Sequence, residues 1–252
     1  MKTSIRGIAF IVTLLATCGA SSAQGTIPLA SRLPAVAASN DLSQRRSSIS
    51  DIFTGQDGNK AVYNLQLLAV AGAVASDDTG IHRTLYMAPG STGYRVSSDI
   101  TKLGDLTYTA PLLGAVYLTG GHGNQTLATD AAIAIFKAGV VGTILKYGVG
   151  RHRPSGASGD NNADAFSPGS AEDADNSFPS GHSLVAFSVA SVWAHDKPKE
   201  KFLAYGLATL VGLSRITLSA HWATDVLAGA ALGIAQGRQV DNGNTNLLSI
   251  RF

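Results

Sequence analysis

The sequence predicts an all-α protein, a single-domain bundle of about six to eight helices with its functional site at helix ends. Apolar residues make up 45% of the 252 residues and charged residues only 14%, as in a well-buried chain rather than a disordered one. In several long segments the apolar residues recur at helical spacing. Glycine is frequent (28 residues) and alanine abundant, which favours closely packed helices over a β-sandwich.

The first 23 residues have the pattern of a secretory signal. Lys2 and Arg6 precede a short apolar stretch over 8–16, and Ser21-Ser22-Ala23 fits a small-residue cleavage site. We therefore expect export to the periplasm or beyond. The only cysteine, Cys18, lies within this signal. Lipidation at Cys18 is the less favoured alternative, because Thr17 is larger than the residue that usually precedes a lipidated cysteine.

The charge balance does not point to nucleic acid. Removing Lys2 and Arg6 from 19 basic residues leaves 17, equal to the 17 acidic residues. The chain has no basic run and no alternation of basic and aromatic residues, so we expect no nucleic-acid partner.

The remaining chain divides into three parts. We expect a loosely ordered lead-in over 24–55, one domain over 56–240 and a polar tail over 241–252. The expected helices cover 60–75, 106–118, 126–147, 183–195, 201–213 and 221 or 222 to 236. Residues 120–124 read as a loop, and 155–177 as a long loop of the kind that is usually functional. Beyond the signal no run of 18 uninterrupted apolar residues occurs, which predicts a soluble or membrane-associated protein, not an integral one.

Basic residues surround one predicted helix end. Gly148 and Gly150 weaken the helix after Lys146, and Pro154 disfavours helical geometry at Arg153. Lys146 should therefore close a helix, with the arginines just beyond it. Such a cluster is either a solvated face or an anion clamp.

A second motif opens a helix directly. Pro179 and Ser180 are helix-start residues, and Gly181 leaves room for a ligand near the backbone. The unpaired N–H groups of a helix N-terminus form an anion site, where His182 could donate a proton. The alternative is an ordinary cap with an incidental histidine.

A third motif joins His221 and Asp225, four residues apart. On one helix the carboxylate could accept the Nδ1–H of the imidazole and leave Nε2 free. Arg215 lies six residues before His221, a spacing that puts the two on different faces of a continuous helix. We therefore predict that Arg215 closes one helix, that 217–220 form a bend, and that His221 opens the last helix.

Together the three motifs resemble the three-part signature of the type 2 phosphatidic acid phosphatase (PAP2) superfamily. They read Lys146-x6-Arg153-Pro154, Pro179-Ser180-Gly181-His182 and Ser214-Arg215-x5-His221-x3-Asp225. That group includes bacterial nonspecific acid phosphatases, lipid phosphate phosphatases and vanadium haloperoxidases. The resemblance implies a phosphatase that hydrolyses phosphate monoesters, lipid phosphates or prenyl diphosphates through a phosphohistidine, without metal or cofactor.

The implied roles follow the motif positions. His221 would be the nucleophile, Asp225 its orienting partner and His182 the general acid. The phosphate would be held by five residues: Lys146, Arg153, Ser180, Gly181 and Arg215. A zinc site at His182, His221 and Asp225 is disfavoured because the three cations would repel the metal. We expect His82, His122 and His195 to be surface or loop residues, and His152 to lie beside the site or be exposed.

Two other functions stay open at this stage. A vanadium-dependent haloperoxidase would use the same anion pocket, and a non-catalytic module would only bind phosphate or a lipid headgroup. Because no membrane-spanning segment is expected, we favour a soluble phosphate ester as substrate, while a lipid phosphate or a prenyl diphosphate stays open. The membrane surface as a partner and homo-oligomerisation are also left open. The acidic residues of the 155–177 loop disfavour highly anionic substrates.

Overall fold

The computed structural model describes residues 77–154, 163 and 165–241, which all belong to one compact unit. The expected all-α class is confirmed. The described helices are α1 (Asp78–Leu85), α2 (Thr92–Ile100), α3 (Leu106–Thr119), α4 (His122–Val149), α5 (Gly181–Asp196), α6 (Lys201–Thr217) and α7 (Ala223–Asp241). Short 3-10 turns cover Thr101–Gly104, Asp173–Asp175 and Pro198–Glu200. The signal, the lead-in, the 60–75 helix and residues 242–252 of the tail lie outside the described residues.

Helix α5 lies at the centre of this unit, where it packs against α4, α6 and α7. Ser180 caps its start, since the Ser180 hydroxyl accepts the backbone N–H of Ser183. Nine residues of α5 are buried, among them Leu184, Phe187 and Val192. The apolar side chains of this helix supply much of the core.

Three glycines spaced four residues apart bring α7 into close contact with α5. A methyl group at Gly233 would lie 2.5 Å from the carbonyl oxygen of Leu184, and one at Gly237 would lie 2.5 Å from the Ser191 Cβ. Gly229 faces the carbonyl oxygen of Ser180 in the same way. Because a glycine recurs at nearly every turn, the α7 backbone can lie directly on the α5 backbone.

Helix α4 ends as expected, just after Lys146. Gly150 adopts the left-handed conformation (φ +59°), and its N–H donates to the carbonyl oxygen of Lys146 at 2.8 Å. This turn places the arginines of the first motif beyond the helix. The start of α4 differs from the expected one, because the helix begins at His122 and shortens the 120–124 loop.

The bend between α6 and α7 is also confirmed. Helix α6 ends at Thr217, Ser219 has a positive φ of 57°, and α7 begins only at Ala223. His221 therefore precedes the last helix instead of opening it. The premise that His221 and Asp225 share a helical face is wrong, because Asp225 lies in α7 whereas His221 lies in the loop before it.

One described helix contradicts the expectation that no segment could cross a membrane. By length and composition alone, α4 is long and apolar enough, although a buried core helix meets the same criterion. The expectation required an uninterrupted apolar run, which Asp130 and Lys137 break. Lys137 is fully buried, so it does not make the outer face of α4 polar.

The glycine contact gives a stability prediction. We expect Gly233→Ala to lower the free energy of unfolding by about 1–3 kcal/mol, because the added methyl collides with the backbone of α5. Chemical denaturation measures the effect. Gly206→Ala in α6 is the matched control: a methyl group there meets no atom within 4 Å, so the better helix former should be neutral or stabilising. Equal effects of the two substitutions would contradict the packing argument.

Candidate active site

His221 lies in the bend before α7 and is almost fully buried. Its Nδ1 is 2.7 Å from the carbonyl oxygen of Ser177, but 3.8 Å from the nearer carboxylate oxygen of Asp225. Since a carbonyl oxygen can only accept, Nδ1 carries the proton and Nε2 the lone pair. The expected hydrogen bond to Asp225 is therefore replaced by one to Ser177. The Nε2 atom faces Arg153, whose Nη1 is 3.4 Å away.

Asp225 supports the loop around His221. Its carboxylate accepts hydrogen bonds from Arg151 Nη1 (2.7 Å), Ser177 Oγ (2.5 Å) and the Trp222 backbone N–H (2.8 Å). Burial opposes ionisation, but the neighbouring His221, the Arg151 charge and these donors lower the pKa of Asp225 below its ordinary value. The carboxylate therefore fixes both residues that flank His221 in space: Ser177, which holds Nδ1, and Trp222.

Arg151 extends this network to the start of α1. Its Nη2 lies 2.8 Å from a carboxylate oxygen of Asp78, and its Nε donates to the carbonyl oxygen of Ala163 at 2.8 Å. Asp78 also accepts the backbone N–H of Thr224 at 3.0 Å and the Thr224 hydroxyl. Sequence reasoning missed Asp78, because nothing in its local pattern separates it from an ordinary helix-start acid.

The three predicted cations lie close to one another, and Arg153 is next to His221. Lys146 Nζ donates to the carbonyl oxygen of Asn176 at 2.6 Å, and Arg153 Nη1 to that of Ala220 at 2.9 Å. Arg153 also pairs with the exposed carboxylate of Asp173 at 3.0 Å. Asp173 belongs to the acidic 155–177 loop, so that loop does reach the site.

Arg215 retains donor capacity. Its Nη1 donates to the Thr101 hydroxyl at 2.8 Å, while its buried Nε has no hydrogen-bond partner in the part of the chain that the structure describes. Burial, together with the positive charge of Arg153, lowers the pKa of Arg215 to about 10. Clustered cations that lower one another's pKa are an environment suited to a bound anion.

His182 lies in the first turn of α5, on the other side of the site. Burial lowers its pKa to about 4, and the neighbouring Arg215 and His221 act in the same direction. Asp105, at the start of α3, opposes this shift with a carboxylate oxygen 3.8 Å from His182 Nε2. Asp105 is a second residue that sequence reasoning missed, since nothing in its local pattern separates it from any acidic residue that precedes a helix.

The two remaining predicted positions differ in accessibility. Gly181 begins α5, and a methyl group built on it meets no atom within 4 Å, so the space beside it is open. Ser180 is fully buried, and its hydroxyl is engaged as the cap of α5 and as acceptor of the Ser183 hydroxyl at 3.0 Å. Its backbone N–H donates to the carbonyl oxygen of Asp225. The geometry of Ser180 thus favours support of the site over direct phosphate contact.

The expectation for His82 is wrong. This residue is fully buried, its Nε2 lies 2.6 Å from the Ser219 hydroxyl, and its ring meets Trp222 edge-on at 5.6 Å between centroids. It therefore packs beneath the bend that carries His221. His152 is half-buried, within 2.9 Å of the Ser167 hydroxyl, and holds the following loop instead of facing the cations.

Comparison with known proteins agrees with this arrangement. Residues 127–240 match the PAP2 superfamily model. A lipid A 1-phosphatase of Porphyromonas gingivalis is 29% identical over 190 residues, which are 71% of this chain and 37% of that protein. Phosphatidylglycerophosphatase B of Bacillus subtilis is 29% identical over 176 residues, or 64% of this chain and 80% of that protein. The segment that carries the three motifs therefore matches the PAP2 superfamily.

A solved structure supports the fold. The crystal structure of a transmembrane PAP2-type phosphatidylglycerolphosphate phosphatase from Bacillus subtilis superposes with a TM-score of 0.51 at 23% identity. The match covers 74% of this chain and 98% of that one. The chain spans little more than a third of the lipid A 1-phosphatase, so activity and substrate have to be argued from its own residues.

The buried histidine gives a pH prediction. Burial lowers the pKa of His221 from 6.5 to about 4, so between these values the unfolded chain binds more protons than the folded one. Stability is then fully present above about 6.5 and declines as the pH falls towards 4. His221→Asn keeps a donor towards Ser177 without a titrating ring. We expect its melting temperature to fall less over this range than that of the wild type.

A matched variant controls for the loss of any histidine. His122 is exposed at the start of α4, and His122→Asn should lose stability with falling pH as the wild type does. If the melting temperature of His221→Asn followed the wild-type pH curve, the loss of stability at low pH could not be assigned to His221.

Proposed function

We propose that the protein is a metal-independent phosphatase that acts on the phosphate ester of a membrane lipid through a phosphohistidine. The observation that carries the proposal is the orientation of His221: a carbonyl oxygen holds its Nδ1–H, and its Nε2 lone pair faces Arg153 among three cations. This arrangement supplies a neutral nucleophile beside an anion site.

The proposed first step is in-line attack. The Nε2 lone pair of His221 forms a bond to phosphorus, while the bond from phosphorus to the ester oxygen breaks. Lys146, Arg153 and Arg215 neutralise the equatorial oxygens, which is the main contribution a protein makes to phosphoryl transfer. As the imidazole becomes positively charged, the Nδ1–H bond to Ser177 and the nearby Asp225 carboxylate stabilise it.

His182 serves the leaving group. Its protonated ring donates to the ester oxygen as the bond breaks, and the neutral ring then accepts a proton from the water that attacks the phosphohistidine. Its low pKa in the empty site does not prevent this role. A bound phosphate dianion would offset the positive charges that help to lower the pKa, so substrate binding itself would favour the protonated form.

An apolar groove favours a lipid substrate over a soluble ester. It has a volume of about 870 Å³ and runs between α3 and α4, from Leu106 and Ile144 at one end to Tyr117 and Ala128 at the other. Leu106 directly follows Asp105, which adjoins His182, so the groove begins at the leaving-group side. Leu106 and Tyr117 are eleven residues apart in α3, which corresponds to roughly 16 Å of groove. A hydrocarbon chain attached to the leaving oxygen could extend along it.

The outer face of α3 suggests where the enzyme meets its substrate. This 14-residue helix contains no Asp, Glu, Lys or Arg, and its exposed side chains include Leu112 and Leu118, of which Leu118 is 80% exposed. A contiguous apolar face of this kind is typical of a membrane contact. A membrane location would also agree with the named relatives, which are lipid phosphatases, and replaces the expected preference for soluble esters.

The two histidines should fail in different ways. We expect His221→Ala to lose turnover of every phosphate ester by at least about 10²–10⁴-fold, because no bond to phosphorus can form. His182→Ala should lose alkyl phosphate hydrolysis to a similar extent. Its loss on p-nitrophenyl phosphate should be smaller, because that leaving group needs little protonation and only the attack of water on the phosphohistidine is then impaired. Initial rates in the presence of a chelator measure both effects.

The same assay contains its control. His122→Ala should keep wild-type rates, and vanadate should inhibit the wild type as a phosphate mimic. Full activity in His221→Ala, or loss of wild-type activity in chelator, would rule out the proposed chemistry.

The groove predicts a dependence on chain length. Among n-alkyl phosphates below their micellar concentrations, kcat/KM should rise about twofold to fourfold per methylene until the groove is filled, since a buried methylene contributes at most about 0.8 kcal/mol. Phe136→Ser, within the groove, should flatten this series. Phe202→Ser on the exposed face of α6 should leave the slope as it is. No dependence in the wild type would exclude the groove as the lipid site.

A further inference from the structure

Asp105 contributes a negative charge next to His182, in a site that also holds three cations. One carboxylate oxygen, Oδ1, caps α3 by accepting the backbone N–H and the hydroxyl of Thr107 at 2.8 and 2.7 Å. The other oxygen, Oδ2, lies 3.8 Å from His182 Nε2. Because the cap fixes the side chain, the second oxygen is held towards the atom that would protonate the leaving group.

The segment that carries Asp105 is tightly fitted to the site. A methyl group on Gly104 would lie 2.6 Å from the carbonyl oxygen of His182, so the chain here runs directly against the start of α5. Thr101, at the other end of the same 3-10 turn, accepts a hydrogen bond from Arg215. The turn therefore touches both the phosphate side and the leaving-group side of the site.

The charges divide the site into two sides. Lys146, Arg153 and Arg215 face the phosphoryl group to be transferred, whereas Asp105 and the entrance of the apolar groove at Leu106 face the group that departs. A monoester of an alcohol places an uncharged oxygen and a hydrocarbon there. A diphosphate places a second anionic phosphate there, next to a carboxylate.

We propose that Asp105 is a specificity-determining residue that selects substrates with an uncharged leaving group and rejects diphosphates by like-charge repulsion. The inference rests on the proposed phosphatase function and narrows its substrate class to lipid monophosphates. The carboxylate is only about a third exposed, so solvent does not fully screen its repulsion of a neighbouring phosphate.

The experiment compares two substrates with the same hydrocarbon, farnesyl phosphate and farnesyl diphosphate, in initial-rate assays. Asp105→Asn and Asp105→Ser remove the charge, and both residues are good helix caps, so the start of α3 is retained. Asp99→Asn is the control. It also removes a carboxylate, but the Asp99 carboxylate lies on α2 and pairs with Lys102 at the surface. Thermal melts establish that all variants are folded.

We expect kcat/KM for farnesyl diphosphate to rise at least about tenfold in both Asp105 variants, mainly through a lower KM, and to stay unchanged in Asp99→Asn. If Asp105 acted only by keeping His182 protonated, the same substitutions would lower or preserve the diphosphate rate. An unchanged or lower kcat/KM for the diphosphate in both variants therefore overturns the inference. Failure of the wild type to hydrolyse farnesyl phosphate would instead refute the proposed function, and this inference with it.

Discussion

The buried Asp225 carboxylate is the point on which the site depends. A charge without solvent contact has to be matched by donors, and here Arg151, Ser177 and the Trp222 backbone supply them from three separate segments. Arg151 is matched in turn by Asp78. Removing one partner of such a pair costs about 3–5 kcal/mol, because a buried charge is left uncompensated. The network therefore holds the loops around His221 in one arrangement.

The side of the site that faces away from this network has the opposite character. Inside, each charge has a counter-charge; outside, Lys146 and Arg215 contact a carbonyl and a hydroxyl, and Arg153 pairs with an exposed aspartate. An exposed ion pair contributes little, so it can be exchanged for a ligand. The network around Asp225 positions His221, and in the proposed mechanism the three cations provide the driving force for anion binding. The same polypeptide turns carry both, since Arg151 and Arg153 are two residues apart.

The sequence predicted the parts of this site that depend on local rules. Gly150 marks the end of α4, the proline-serine pair marks the start of α5, and the six-residue spacing from Arg215 to His221 requires the observed bend. The acceptor for His221 Nδ1 is a backbone carbonyl 44 residues away, which no spacing rule reveals. Asp78, His82 and Asp105 likewise reach the site through tertiary contacts. His82 was expected to be a surface or loop residue, and neither aspartate belongs to one of the three motifs.

The residues that the sequence did not predict all lie outside the three motifs, in α1 and in the turn before α3. In the proposed mechanism the motifs hold the phosphate and supply the nucleophile, and a family can share these features while its members act on different esters. In the proposed mechanism the group that leaves lies against Asp105, Leu106 and the groove between α3 and α4, so we expect the residues that distinguish one substrate from another on this side. Substrate preference can therefore change through α3 while the motifs, and the chemistry they support, stay the same.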